Sequence, residues 1–201
     1  MIRLLLSLGV RRGELCGLKW SDINFFASTI NINRNLLYLP EKGIFEDTPK
    51  TPKSKREISV TSNELQMLNS HRAYQFKRQL ELGDAWIETD YIFTSWNGSA
   101  LHPDTISSWF KKLIKKYDLP DISIHSLRNT NATMLLMNGL PVKAVSSRLG
   151  HSNAVTTSNI YSHALKSVDE EAATVIDNIL SNGNKQDKKG AVYKTTSYLF
   201  I

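Results

Sequence analysis

At 201 residues the chain has room for one domain, or one domain and a tail, and its 41% of hydrophobic residues can build a real core. Lys and Arg number 25 against 19 Asp and Glu, which leaves +6 and a pI near 9.4 and favours a polyanionic partner. The single cysteine, Cys16, excludes a disulfide framework and a cysteine zinc site within one chain, fits the cytoplasm, and lies on an apolar stretch with Leu15 and Leu18 as a small core residue.

The opening segment, Met1 to Leu8, reads as a helix stopped by Gly9; it is too short to span a membrane and lacks the small-residue cleavage site of a signal peptide. A second short helix is expected from Arg12 to Leu18. Ser28 to Asn33 and Asn35 to Leu39 alternate apolar and polar residues, as strands with one buried face do. A loop containing Gly43, Pro49 and Pro52 follows, then a third strand from Arg56 to Val60. Thr61 with Glu64 has the pattern of a helix cap and opens a helix to about Leu82. Asp90 to Thr94 is extended and Asn97-Gly98 a turn.

From Asp104 to Tyr117, Ile106, Trp109, Phe110, Leu113, Ile114 and Tyr117 keep the spacing of one apolar helix face. Lys111, Lys112, Lys115 and Lys116 form a basic stripe elsewhere on it, either a solvated face or one that meets phosphate. Further helices are expected from His125 to Asn138, from Pro141 to a stop at Gly150, from Asn153 to Tyr161, and from Leu165 to Leu180. Beyond Ser181 the composition turns to that of a linker, and Ala191 to Ile201 is strand-like. The predicted fold is α+β, mainly α-helical, with a small three-stranded antiparallel sheet in the N-terminal third.

Chemistry concentrates on a few polar residues. His125 and Arg128, three apart, project from one helix face and together can grip one phosphate, helped by free NH groups at a helix start. Arginine suits that task because its planar fork donates to two oxygens and stays charged. The same spacing also fits a surface salt-bridging pair. Arg11 opens a helix and is likewise placed for an anion, or for pairing with Glu14.

Five segments, taken in order, resemble the tyrosine recombinases of the phage-integrase family. Ser7-Leu-Gly-Val-Arg11-Arg-Gly-Glu14-Leu is similar to the stretch that carries the family's first catalytic arginine. Thr48-Pro-Lys50-Thr resembles the β-hairpin in which a lysine protonates the leaving 5′ oxygen. Lys50 is the match, with Lys53 and Lys55 as rivals nearby, and a basic loop that merely touches backbone is the alternative. Ile124-His125-Ser-Leu-Arg128 is similar to the H-x-L-R box, although Asn129 stands where the family usually has histidine. Leu149-Gly150-His151-Ser152 resembles the L-G-H-S box. Thr156-Thr-Ser-Asn-Ile-Tyr161-Ser-His163 resembles the nucleophile box, with His163 left without a catalytic role. The set spans about three quarters of the chain, and none of the other tyrosines shares this context.

The resemblance implies that Tyr161 attacks a DNA phosphodiester to give a 3′-phosphotyrosine and a free 5′-hydroxyl. A hydroxyl from a partner strand then reverses the step. Tyrosine is a poor nucleophile at its free pKa near ~10, so cationic neighbours must favour its phenolate. Arg11 and Arg128 would hold the charge developing on phosphate, His125 would act as general base, and His151 would donate to a non-bridging oxygen. No metal or nucleotide cofactor is implied. Lys53, Lys55, Arg56, Lys111, Lys112 and Lys115 are candidate contacts to double-stranded DNA. Family members act as tetramers on paired sites, exchange a C-terminal segment between protomers, and carry an N-terminal domain that clamps the DNA. The expected organisation is a catalytic domain over residues 1–180 lacking that clamp, and a linker and tail over 181–201. A type IB topoisomerase and a catalytically inactive DNA-binding fragment are the rival readings.

Overall fold

The computed structural model of the protein describes residues 1–47, 55–151 and 153–186. They divide into two compact units, Met1–Tyr161 and a second that begins at Ser162. Among the described residues, two hydrophobic core clusters lie in the first unit. Helix α1 (Ile2–Leu8) buries Leu4, Leu5 and Leu8, and stops at Gly9, whose φ of 62° turns the chain left-handed. Helix α2 (Arg12–Cys16) follows, with Cys16 fully buried and its thiol pushed up to about 12 by burial.

A 3₁₀ turn at Trp20–Asp22 leads into β1 (Ile23–Asn24) and β2 (Thr29–Ile32). β3 (Asn35–Leu39), β4 (Gly43–Asp47) and β5 (Arg56–Ser59) complete the strands. The expected three-stranded antiparallel sheet is present, in the order β1-β2-β5, with Ile30 opposite Ile58. Its membership differs from the expectation. Asn35–Leu39 pairs instead with β4 in a separate two-stranded ribbon, and β4 occupies part of the stretch read as a loop. β1 is only two residues long, too short for alternation to be read from sequence.

Helix α3 (Ser62–Leu82) starts at Thr61, whose backbone NH donates to Glu64 at 3.1 Å, while Arg3 of α1 reaches the same carboxylate at 3.2 Å. Helix α4 (Pro103–Lys116) buries Ile106, Phe110 and Ile114. Trp109 and Tyr117, expected on that face, are 42% and 59% exposed: they flank a stripe only one residue wide per turn.

Helix α5 (Ile124–Met137) is capped by Ser123, whose hydroxyl accepts from the NH of Ser126. Helix α6 (Val142–Leu149) runs from Pro141 to Gly150, where φ is 68°. Helix α7 (Ala154–Gln186) is continuous where two helices were expected, since Ser162 to Leu165 holds no glycine or proline to break it. It also extends past Ser181, where a linker was expected. The strand-like stretch from Ala191 lies outside the described residues. Among those described, no helix is long and apolar enough to cross a membrane.

The larger core joins α1, α2, the sheet, α4 and the start of α5 through residues such as Leu8, Leu15, Ile30, Ile58, Phe110 and Leu127. A second cluster, Ala132, Leu136, Val145 and Leu149, joins α5 to α6, and Ile160 and Tyr161 of α7 pack against it.

Candidate active site

The site grows from helix ends. The last carbonyls of a helix lack intrahelical partners and carry partial negative charge. α1 and α6 both end beside α5, and cationic or amide donors occupy their ends. Arg128 Nη1 donates to Gly9 O at 2.6 Å and Nη2 to Leu149 O at 2.7 Å, so one planar guanidinium joins the two C-termini. Asn131, one turn along α5, donates to Leu6 O at 2.7 Å and Ser7 O at 3.2 Å. Arg11 Nη2 donates to Gly150 O at 3.1 Å, and Arg56 Nε to Arg148 O at 2.7 Å.

Glu14 is the carboxylate these arginines share. Its Oε2 accepts from the backbone NH of Arg11 at 2.8 Å, and its Oε1 from Arg11 Nη1 at 2.8 Å. Arg56 adds bonds of 3.1 Å and 2.9 Å, and Arg128 Nη1 stands 4.0 Å away. The carboxylate is buried, which alone would raise its pKa; Arg56 and Arg11 outweigh that and hold it below the ordinary value. The arginines differ in depth. Arg11 keeps 42% of its side chain in solvent and Arg128 only 1%. Burial, then Arg11, push the Arg128 pKa down to about 10, which leaves it protonated at neutral pH.

Two imidazoles lie in this field. His125, in the first turn of α5, shares a cleft of about 250 Å³ with Val10, Arg11, Ser107, Ser123 and Ile124. Burial lowers its pKa, and the charges of Arg128 and Arg11 lower it further. His151 follows the Gly150 turn. Burial and then Arg128, Arg11, His125 and Arg56 push its pKa down to about 4. Both rings are therefore neutral near pH 7. His151 Nδ1 stands 2.8 Å from Oγ1 of Thr157 on α7. Tyr161, one turn further along the same helix, is half-buried with its ring against the second core cluster; its hydroxyl makes no hydrogen bond to Arg11, Arg128, His125 or His151.

Arg11, His125, Arg128 and His151 of the sequence-predicted set are thus brought together, and Tyr161 sits on the helix whose first turns also hold Thr157. Lys50 and Lys53 lie outside the described residues. Lys55, Lys111, Lys112 and Lys115 are exposed. Arg56, grouped in sequence with the exposed lysines as a contact to DNA, differs from them in depth: its side chain is buried and bonded to Glu14 and Arg148 O. The alternation of β5 held that signal, because Arg56 lies two residues from the buried Ile58 and so on the core face. Thr157, a functional candidate the sequence reading passed over, is four residues before Tyr161, on the same helix face.

This geometry has relatives. The profile of the phage integrase family matches residues 1–168. A tyrosine recombinase XerC-like protein of Caldanaerobacter subterraneus subsp. tengcongensis is 33% identical over 182 residues, covering 85% of this chain and 46% of that protein. The ICEBs1 integrase of Bacillus subtilis is 28% identical over 172 residues, covering 86% and 46%. Among solved structures, the Tn1549 transposon integrase in complex with transposon right end DNA matches with a TM-score of 0.68 at 27% identity, over 86% of this chain and 57% of that one. The XerA recombinase matches with a TM-score of 0.60 at 28% identity, over 84% and 54%. The chain spans about half the length of the curated relatives it matches. With the family profile matching from the first helix past Tyr161, and the fold shared with two such enzymes, the chain belongs to the phage integrase family, the tyrosine recombinases.

Proposed function

We propose that this chain is the catalytic part, over residues 1–180, of a site-specific DNA recombinase that cuts and rejoins double-stranded DNA through a 3′-phosphotyrosine. The observation that carries the reading is the meeting of two neutral imidazoles with the guanidinium groups of Arg11 and Arg128 beside a cleft. Beyond burial, His125 and His151 both feel the charges of Arg128 and Arg11, and His151 that of Arg56 as well, so the potential at the rings is positive and suited to an anion.

In the proposed step Tyr161 Oη bonds to phosphorus as the bond to the 5′ oxygen breaks. The phenol proton passes to neutral His125, and the leaving oxygen takes a proton from Lys50. Arg11, the exposed arginine, meets the phosphate first. Arg128, with three of its five N–H donors not committed to Gly9 O or Leu149 O, stabilises the charge that grows on the phosphorane. The bond energy is kept in the phosphotyrosine, so a free 5′-hydroxyl reverses the reaction without a nucleotide cofactor. The integrase from Tn1549 was solved on transposon-end DNA, which supports double-stranded DNA as the partner here. The full assembly is proposed as a homotetramer on paired sites, with the segment after Tyr161 as the part exchanged between protomers.

A nicked suicide substrate tests the reading. Wild type is expected to form a covalent protein–DNA complex that survives denaturation, and Tyr161→Phe to form none. No adduct with wild type on any substrate overturns the enzyme reading. Relaxation of a supercoiled plasmid without recombination sites assigns a topoisomerase instead.

A further inference from the structure

We propose that Thr157 is a positioning residue that fixes the tautomer of His151, its hydroxyl donating to Nδ1 so that Nε2 carries the ring proton and donates to the phosphate. The inference rests on the recombinase reading for its functional half. Its structural half stands on the geometry of α7.

A neutral imidazole has one proton, and the partner of one nitrogen decides which nitrogen holds it. Thr157 Oγ1 is the partner of Nδ1, at 2.8 Å. Thr157 is fully buried, at 0% exposure, so its hydroxyl proton has no water to go to. Helical hydroxyls usually donate to the carbonyl four residues back, and several here do so: Ser70 to Gln66 O, Thr130 to Ser126 O, Ser158 to Ala154 O and Thr174 to Glu170 O. Thr157 does not. Among the described residues the hydroxyl's only hydrogen bond is the one to His151. Were Nδ1 the donor instead, the Thr157 proton would be buried without an acceptor, a penalty of about 1–3 kcal/mol. The other arrangement satisfies it and leaves Nε2–H to point elsewhere. The positive surroundings keep the ring neutral, so the choice of tautomer matters. A donor is what a non-bridging phosphate oxygen requires; an imidazole presenting a lone pair there would repel it.

The test uses the full chain with ¹⁵N-labelled histidine and long-range ¹H–¹⁵N correlation spectra at pH 7, with His151→Gln to assign the ring. Wild type and Thr157→Ser are expected to show the Nε2–H form. Thr157→Val, nearly isosteric but without the hydroxyl, is expected to show a mixture or the Nδ1–H form, with its thermal midpoint confirming that it folds. On the suicide substrate, Thr157→Val is expected to slow adduct formation at saturating DNA about tenfold or more while DNA affinity stays unchanged, and Thr157→Ser to stay close to wild type. An Nδ1–H ring in wild type, or a Thr157→Val ring identical to wild type, overturns the proposal. Spectra as expected from a wild-type chain that forms no adduct uphold the tautomer assignment and count against the recombinase reading alone.

Discussion

Arg11 and Arg128 are matched in chemistry but not in depth, and substitution separates what each does. Arg128 bridges two helix C-termini from a nearly solvent-free position. Arg128→Ala leaves Gly9 O and Leu149 O without donors and is expected to lower stability by about 3–5 kcal/mol in urea unfolding, besides abolishing adduct formation. Arg128→Lys keeps the charge but cannot span both carbonyls with one ammonium, so most of that loss should persist. Arg11→Ala, half in solvent, is expected to cost about 1 kcal/mol of stability while reducing adduct formation about 100-fold or more. Equal stability losses from the two alanine variants would contradict the depth difference. The sequence made the identity of both arginines legible, because each sits inside a patterned motif. It did not make their depth legible: a spacing of three residues assigns His125 and Arg128 to one helix face without saying what packs over it. The depth of Arg56 was hidden for a related reason, since its neighbours Lys53 and Lys55 suggested a surface run while its strand register places it inward.

At the scale of elements, the turn after α6 sets how the site closes. Gly150 adopts φ 68°, and a Cβ there would come within 2.8 Å of Arg56 Nη1 and 3.1 Å of its Cζ. That guanidinium cannot swing away cheaply, because bonds to Glu14 and Arg148 O hold it. Gly139 also has a left-handed φ, 83°, but nothing within 4 Å of the added atom. Gly139→Ala is therefore expected to show only the conformational penalty of about 1 kcal/mol, and Gly150→Ala that penalty plus the clash, about 2–3 kcal/mol by urea unfolding, with adduct formation impaired only in the latter. Matching losses would mean that Arg56 yields to the added methyl. Helix existence and most helix ends were legible, because Gly9, Thr61, Pro141 and Gly150 are strong local signals. The pairing of strands was not. Asn35–Leu39 alternates as a sheet strand does, yet alternation names no partner: two residues separate it from β2 and three from β4, and it pairs with β4 while β2 pairs with β5. Tyr161 was found by context, and Thr157 lies in the same patterned stretch, but a threonine in a helix announces no role until the fold brings His151 to it.

Across the whole molecule the site links charge to stability. His125 and His151 have folded pKa values below their unfolded value of about 6.5, so between the two values the unfolded chain binds more protons. Stability must then fall as pH drops below about 6.5, and for His151 the fall continues to its folded value of about 4 and stops there. Glu14 acts in a lower window: its depressed pKa contributes stability that is complete above the unfolded carboxylate value and is lost as pH falls through the folded one. Between pH 7 and pH 5 the histidines therefore dominate this site's share. His151→Gln removes one titration and is expected to recover about 1–2 kcal/mol of the wild-type loss over that interval, with little recovery added between pH 8 and 7. Urea midpoints measured at each pH on both proteins read the difference directly. Burial and, beyond it, the same arginines that would receive the phosphate impose this cost on the protonated rings, so a His151→Gln slope identical to wild type would mean that neither acts on His151, and the shared positive site would have to be abandoned. Activity should follow the same physics: if neutral His125 takes the tyrosine proton, the acid limb of adduct formation falls below pH 6.5, and a midpoint above that value would remove His125 from the role of base.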